Sequence, residues 1–139
     1  MELNTGCPSN TVMKVGGGSD MMKDKIKTLQ IIEKISKHLT KLPFSLKTRA
    51  GINEQDKAEQ LKFIVKASQY CNKISLHGRT LKQLYMGEAD RTFIAEAKEQ
   101  VLKEGNPKCE IIGNGGIASY AQTKKYYEQY RVDGIMIGQ

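Results

Sequence analysis

Side chains able to do chemistry recur along this 139-residue chain wherever an extended run gives way to a turn. The first lies in Leu3-Asn4-Thr5-Gly6-Cys7-Pro8-Ser9. Glycine admits unusual backbone angles and proline removes an N–H, so together they stop the strand that leads in. The turn then presents the Cys7 thiol at an element's end, where a side chain can face a ligand. Taken alone, these residues fit an inert cysteine in a tight turn better than a reactive one. Further on, Lys47 and Arg49 end a second run, and His77 and Arg79 a third. Asn114 opens a glycine-rich turn, and Gly138-Gln139 follow the last apolar run.

The elements that must position these groups are legible in the periodicity. Phe44 and Leu46 alternate with Ser45 and Lys47 in a strand, which puts Lys47 and Arg49 on one face. Lys73–His77, Cys109–Ile112 and Asp133–Ile137 read as further strands. Between them, Lys25–Leu39, Asp56 to about Tyr70, Arg91–Lys103 and Ser119–Tyr130 carry apolar residues at helical spacing. Val15–Asp20 reads as a glycine-rich loop that lacks the G-K-[ST] of a Walker motif, with Ser19 or Asp20 as cap of the next helix. Comparable strand positions, Leu3, Leu46, Leu76, Ile112 and Ile137, are separated by 43, 30, 36 and 25 residues. Those intervals fit βα units with right-handed crossovers, hence an α/β chain with a parallel sheet. A doubly wound sheet and part of an eight-stranded barrel both satisfy the pattern.

Composition narrows the class. Hydrophobic residues make up 39% of the chain, and no apolar run approaches the ~20 residues of a membrane helix. The N-terminus lacks a basic segment followed by an apolar one, so no secretory signal is expected. Cys7, Cys71 and Cys109 are odd in number and lack C-x-x-C spacing, which argues against a disulfide framework or a metal site and for a reducing, cytoplasmic setting. The net charge of +7 points to an anionic partner, nucleic acid first.

In parallel α/β folds, ligands gather at the C-terminal ends of the strands. One lysine at a strand end is ordinarily a snorkelling cation, and one histidine a satisfied hydrogen-bonder. Here all five ends carry polar or permissive residues, and that coincidence reads as a site. Gly113-Asn114-Gly115-Gly116 before a helix offers backbone N–H groups and a positive helix terminus, and Ile137-Gly138-Gln139 supplies a second turn. Read as strands seven and eight of a barrel, these turns form a phosphate pocket suited to flavin mononucleotide.

The motifs resemble, in order and over essentially the whole chain, those of the tRNA-dihydrouridine synthases. They are Leu3–Ser9, the glycine-rich loop with Met21-Met22-Lys23-Asp24, Leu46–Arg49, Leu76–Thr80, Gly87–Asp90, Gly113–Ile117 and Met136–Gly138. The resemblance implies one FMN-binding TIM-barrel domain over residues 1–139, incomplete, carrying strands 4 to 8 and their helices. It implies reduction of a uridine C5–C6 double bond in tRNA, with hydride from reduced flavin to C6 and NADPH as reductant. Cys7 would give the proton to C5, a task that suits a thiol because thiols are protonated at neutral pH. Asn4, Lys47, His77, Asn114, Gly115, Gly116, Gly138 and Gln139 would hold the cofactor, and Arg49 and Arg79 would face tRNA or the target base.

Two positions depart from the family pattern: Arg91 stands where tryptophan is common, and Gln139 where arginine is usual. The span departs as well, since a complete barrel needs about 250 residues. A fragment is therefore expected, one that aggregates or folds poorly when isolated, whereas the full-length protein is expected to be monomeric. Two other readings fit parts of the pattern. One is a dihydroorotate-dehydrogenase-like flavin barrel, against which His77–Thr80 and the basic charge speak. The other is a non-catalytic, basic RNA-binding remnant of a barrel.

Overall fold

The computed structural model describes residues 1–138. Five strands form one sheet: β1 (Glu2–Asn4), β2 (Ser45–Arg49), β3 (Lys73–His77), β4 (Glu110–Asn114) and β5 (Gly134–Met136). All neighbours are parallel, and the spatial order β1-β2-β3-β4-β5 is the order along the chain. A doubly wound sheet reverses direction at a switch point, whereas a barrel winds one way only. The unbroken order therefore decides between the two topologies in favour of consecutive strands of a TIM barrel.

The helices are α1 (Asn10–Met13), α2 (Lys25–His38), α3 (Lys57–Ala67), α4 (Arg91–Glu104) and α5 (Tyr120–Tyr130). The last four stand side by side in chain order, α2 against α3, α3 against α4 and α4 against α5. Strand residues alternate between two faces. Leu46, Thr48, Ile74, Leu76 and Ile111 are buried toward the helices. There they join Ile32, Phe63, Ile64, Ala67, Phe93, Ile94, Ala97 and Val101 in one core. The opposite face, a barrel's interior, carries two aligned rows. One runs Asn4, Lys47, Ser75, Ile112; the next runs Arg49, His77, Asn114, Met136.

Two local readings are corrected. The segment expected as a loop over Val15–Asp20 leads into a 3-10 helix, Gly18–Lys23. The cap of α2 is Asp24, not Ser19 or Asp20: its Oδ1 accepts from the Lys27 N–H at 3.0 Å. Ser19 is instead buried, its N–H donated to the Cys7 carbonyl at 2.9 Å. The remaining helix and strand bounds fall within a few residues of expectation, the usual fraying of element ends.

Candidate functional site

The turn after β1 is built by Asn4. Its Oδ1 accepts from the N–H of Gly6 at 2.9 Å and of Cys7 at 3.1 Å, an Asx-type turn that mimics the backbone. Cys7 emerges half-buried from this turn, while Cys71 and Cys109 are enclosed in the core. Burial pushes the thiols of Cys71 and Cys109 up to about 12, so neither is a reactive group. The Cys7 carbonyl is held from the other side by the 3-10 helix. At Gly18, with φ +55°, a Cβ would lie 2.6 Å from that carbonyl, so only glycine fits.

Arg49 ties this turn to the rest of the sheet's C-terminal end. Its side chain is 2% exposed. Nε donates to the Gly6 carbonyl at 2.7 Å, and Nη1 to the carbonyls of Leu84 at 2.9 Å and Thr80 at 3.4 Å. The Tyr85 ring lies 5.7 Å from the guanidinium carbon. Burial lowers its pKa, and no carboxylate pairs with it among the described residues. The structure thus places this expected RNA contact as a clamp between two turns.

Lys47 sits beside Asn4 and Ser75 in the row below. Burial, then the neighbouring Arg49 charge, pushes its ammonium down to about 8. His77 is 8% exposed, and burial with the charges of Arg49, Lys47 and Arg79 pushes its imidazole down to about 3. It is a neutral ring at any physiological pH. Arg79 reaches His77 Nε2 at 3.2 Å and grips the Gly87 carbonyl with Nε and Nη2 at 3.0 and 2.9 Å.

The β4 turn closes the arrangement. Asn114 Nδ2 donates to the Met136 carbonyl at 2.8 Å, linking β4 to β5, and the Asn114 carbonyl accepts from Gly78 N–H at 3.1 Å. Gly115 has φ +110°, and a Cβ there would meet the His77 ring at 2.6 Å. Gly116 lies where a Cβ would stand 3.4 Å from Arg91 Nη2 and 3.5 Å from Arg79 Nη2. Gly138 is exposed at the end of the last strand. Gln139, the remaining expected cofactor contact, lies outside the described residues.

Asn4, Cys7, Lys47, His77, Arg79, Asn114 and Gly115 are therefore brought to one end of one sheet. Asp90, from the Gly87–Asp90 motif, serves the scaffold: it caps α4 through the Phe93 N–H at 2.9 Å and pairs with Lys57 at 2.7 Å. Two contacts were not expected from the sequence. Tyr85 is 66% exposed beside the Arg49 clamp. Arg91 stacks 3.9 Å over the Tyr126 ring centroid. A cation at a helix's first residue opposes the macrodipole, and that misfit was the available signal. Among the described residues no group of three or more His, Cys, Asp and Glu could hold a metal ion, and no helix is long and apolar enough to cross a membrane.

A one-way parallel sheet with its polar chemistry at the C-terminal strand ends defines the class: the wall of a (β/α)8-barrel enzyme site. Residues 1–139 match the family model described as dihydrouridine synthase (Dus). A probable tRNA-dihydrouridine synthase of Rickettsia conorii is 35% identical over 99% of this chain and 40% of its own length. A tRNA-dihydrouridine(47) synthase (NAD(P)(+)) of Coprinopsis cinerea is 34% identical over 99% of this chain and 21% of its own. The tRNA-dihydrouridine synthase B of Pseudomonas aeruginosa is 28% identical over 99% and 40%. The chain belongs to the dihydrouridine synthase family. It spans about two fifths of the length of the Rickettsia relative it matches. The family assignment takes the place of the dihydroorotate-dehydrogenase-like alternative.

Proposed function

We propose that this chain is part of a tRNA-dihydrouridine synthase that uses FMN and a nicotinamide reductant, NADPH, to reduce uridine in tRNA. The observation that carries the reading is the half-buried Cys7 thiol, held by a turn that Asn4 builds at the same end of the sheet as Lys47 and His77.

The residues present fit the flavin nucleotide. Lys47 and Arg79 flank the neutral His77 ring at this end of the sheet and have no ion-paired carboxylate among the described residues, so an anion there gains from their charge. Gly116 leaves room that a Cβ would fill, beside the guanidiniums of Arg79 and Arg91, a cradle of the kind that takes a phosphate. Asn114, Gly115, Gly116, Gly138 and Gln139 would hold the phosphate end, with Lys47 and His77 against the ring system. When bound, FMN supplies the hydride that reaches C6 of the uracil, and NADPH renews it.

The chain's own part is proton delivery and positioning. Cys7 holds a proton at Sγ and gives it to C5 as C6 gains the hydride, so a hydride and a proton, two hydrogens and two electrons in all, add across the double bond. Lys47 sets a positive charge beside the cofactor and stabilises the negative charge that reduction brings. Asn4 spends its Oδ1 on the turn, which leaves its Nδ2 as the donor available to the base or the cofactor. Arg49 keeps the Cys7 turn at its height above the sheet.

The test is Cys7→Ala in the enzyme that carries this chain. Flavin loading should persist while dihydrouridine formation falls by roughly two to four orders of magnitude, the range of general acid catalysis. Turnover at the normal rate would remove Cys7 from the mechanism.

A further inference from the structure

His77 makes one side-chain hydrogen bond among the described residues, between Nε2 and Arg79 Nη1 at 3.2 Å. A guanidinium offers donors only. The imidazole nitrogen that meets it must therefore be the acceptor, and a neutral ring then carries its proton on Nδ1. Arg79 is not free to turn away, because Nε and Nη2 both hold the Gly87 carbonyl. The same edge of the ring lies against the β4 turn: a Cβ at Gly115 would stand 2.6 Å from Cδ2 and 2.8 Å from Nε2. The packed edge is thus Cδ2–Nε2. Nδ1 lies across the ring from that edge and has no hydrogen-bond partner among the described residues.

The charges around the ring agree with this state. Burial first, then the charges of Arg49 and Lys47 from β2 and of Arg79 from the loop after β3, oppose a second proton on the ring. Of the two carboxylates in the loop after β3, Glu88 is exposed and Asp90 is paired with Lys57.

We propose that Arg79 is a positioning residue that fixes His77 as the neutral Nδ1–H tautomer, so that the imidazole meets its ligand as a hydrogen-bond donor and selects an acceptor atom. The assignment gives Arg79 a role inside the protein, where the sequence pointed to RNA. The tautomer follows from the protein alone; that the ligand is a flavin rests on the function proposed above. A carbonyl or ring nitrogen of the isoalloxazine or a phosphate oxygen would each serve as acceptor.

In the enzyme that carries this chain, labelled with ¹⁵N at histidine, comparison with His77→Gln assigns the His77 ring signals. Wild-type His77 is expected to show a protonated Nδ1 and a bare Nε2, unchanged between about pH 5 and 8. A protonated Nε2 with a bare Nδ1, or an imidazolium in that range, overturns the proposal. Arg79→Met should move the ring toward the Nε2–H form, and Arg79→Lys, which keeps a donor, should restore the wild-type pattern. A folded Arg79→Met whose tautomer is unchanged removes Arg79 from the role; the wild-type spectrum decides the tautomer even if that variant does not fold. FMN added to the same sample should shift the Nδ1–H proton. Flavin fluorescence separates the two failures. If FMN binds and the proton does not move, the donor role is wrong. If FMN does not bind, the flavin reading is wrong while the tautomer stands as measured.

Discussion

Lys47 and Arg49 are two residues apart on one strand face, yet their environments give them different work. Arg49 spends its donors on three backbone carbonyls and is enclosed. Lys47 has no hydrogen-bonded carboxylate among the described residues, and burial lowers its ammonium to about 8. At neutral pH an amine with that value is neutral a hundredfold or so more often than an ordinary lysine near 10.4, about two orders of magnitude. Brief acylation at neutral pH, read by mass spectrometry, should therefore modify Lys47 at least about tenfold faster than the exposed lysines of α2, such as Lys37. Equal rates would contradict the low value. His77 makes a second prediction at this scale. Its folded value of about 3 lies below the ~6.5 of a free imidazole. The unfolded chain thus takes up this proton first, and the contribution is whole above about pH 6.5 and lost as pH falls toward 3. Urea melts should show wild type losing more stability than His77→Gln between about pH 7 and pH 4. Parallel losses would mean the ring is not held neutral.

At the scale of elements, the site is a set of turns locked to one another. The β1 turn is held by Asn4 from within, by Arg49 from below and by the 3-10 helix through Ser19. The loop after β3 is fixed where Asp90 N–H donates to the Gly78 carbonyl at 2.7 Å and Asp90 itself caps α4. Gly18→Ala tests this locking, because its Cβ would collide with the Cys7 carbonyl at a backbone angle that favours glycine. It should cost on the order of 1–3 kcal/mol in urea unfolding and change the rate at which Cys7 reacts with a thiol reagent. The enclosed Cys71 and Cys109 leave that readout clean. A variant as stable as wild type, with unchanged Cys7 labelling, would show the contact to be slack.

For the molecule as a whole, a parallel sheet of five strands has edges at β1 and β5 with no partner strand among the described residues. Its inner face carries Ile112 and Met136 partly open, next to an exposed Ile137. Unpaired edges and apolar faces seek other strands. The 139-residue chain alone should therefore self-associate as its concentration rises, as measured by light scattering after gel filtration. A monomer at all concentrations, with a cooperative melt, would show that the sheet tolerates its edges. The same geometry explains why the chemistry lies at one end: every crossover returns to the same direction, so every strand delivers its last residues to one rim.

Much of this was fixed locally. Periodicity of 2 and 3.6 residues separates strands from helices, and the strand-end positions of Cys7, Lys47, His77 and Asn114 follow from where those patterns stop. The motifs were enough to point to the family. Tertiary structure alone decided three things, each because it depends on residues far apart in the chain. The one-way strand order separated a barrel from a doubly wound sheet. Tertiary structure also set the contacts of Arg49 and Arg79 with carbonyls 8 to 43 residues away in their own chain. The tautomer of His77 rests on which edge of its ring meets Arg79 and Gly115, and no spacing in the sequence encodes the direction in which a ring faces.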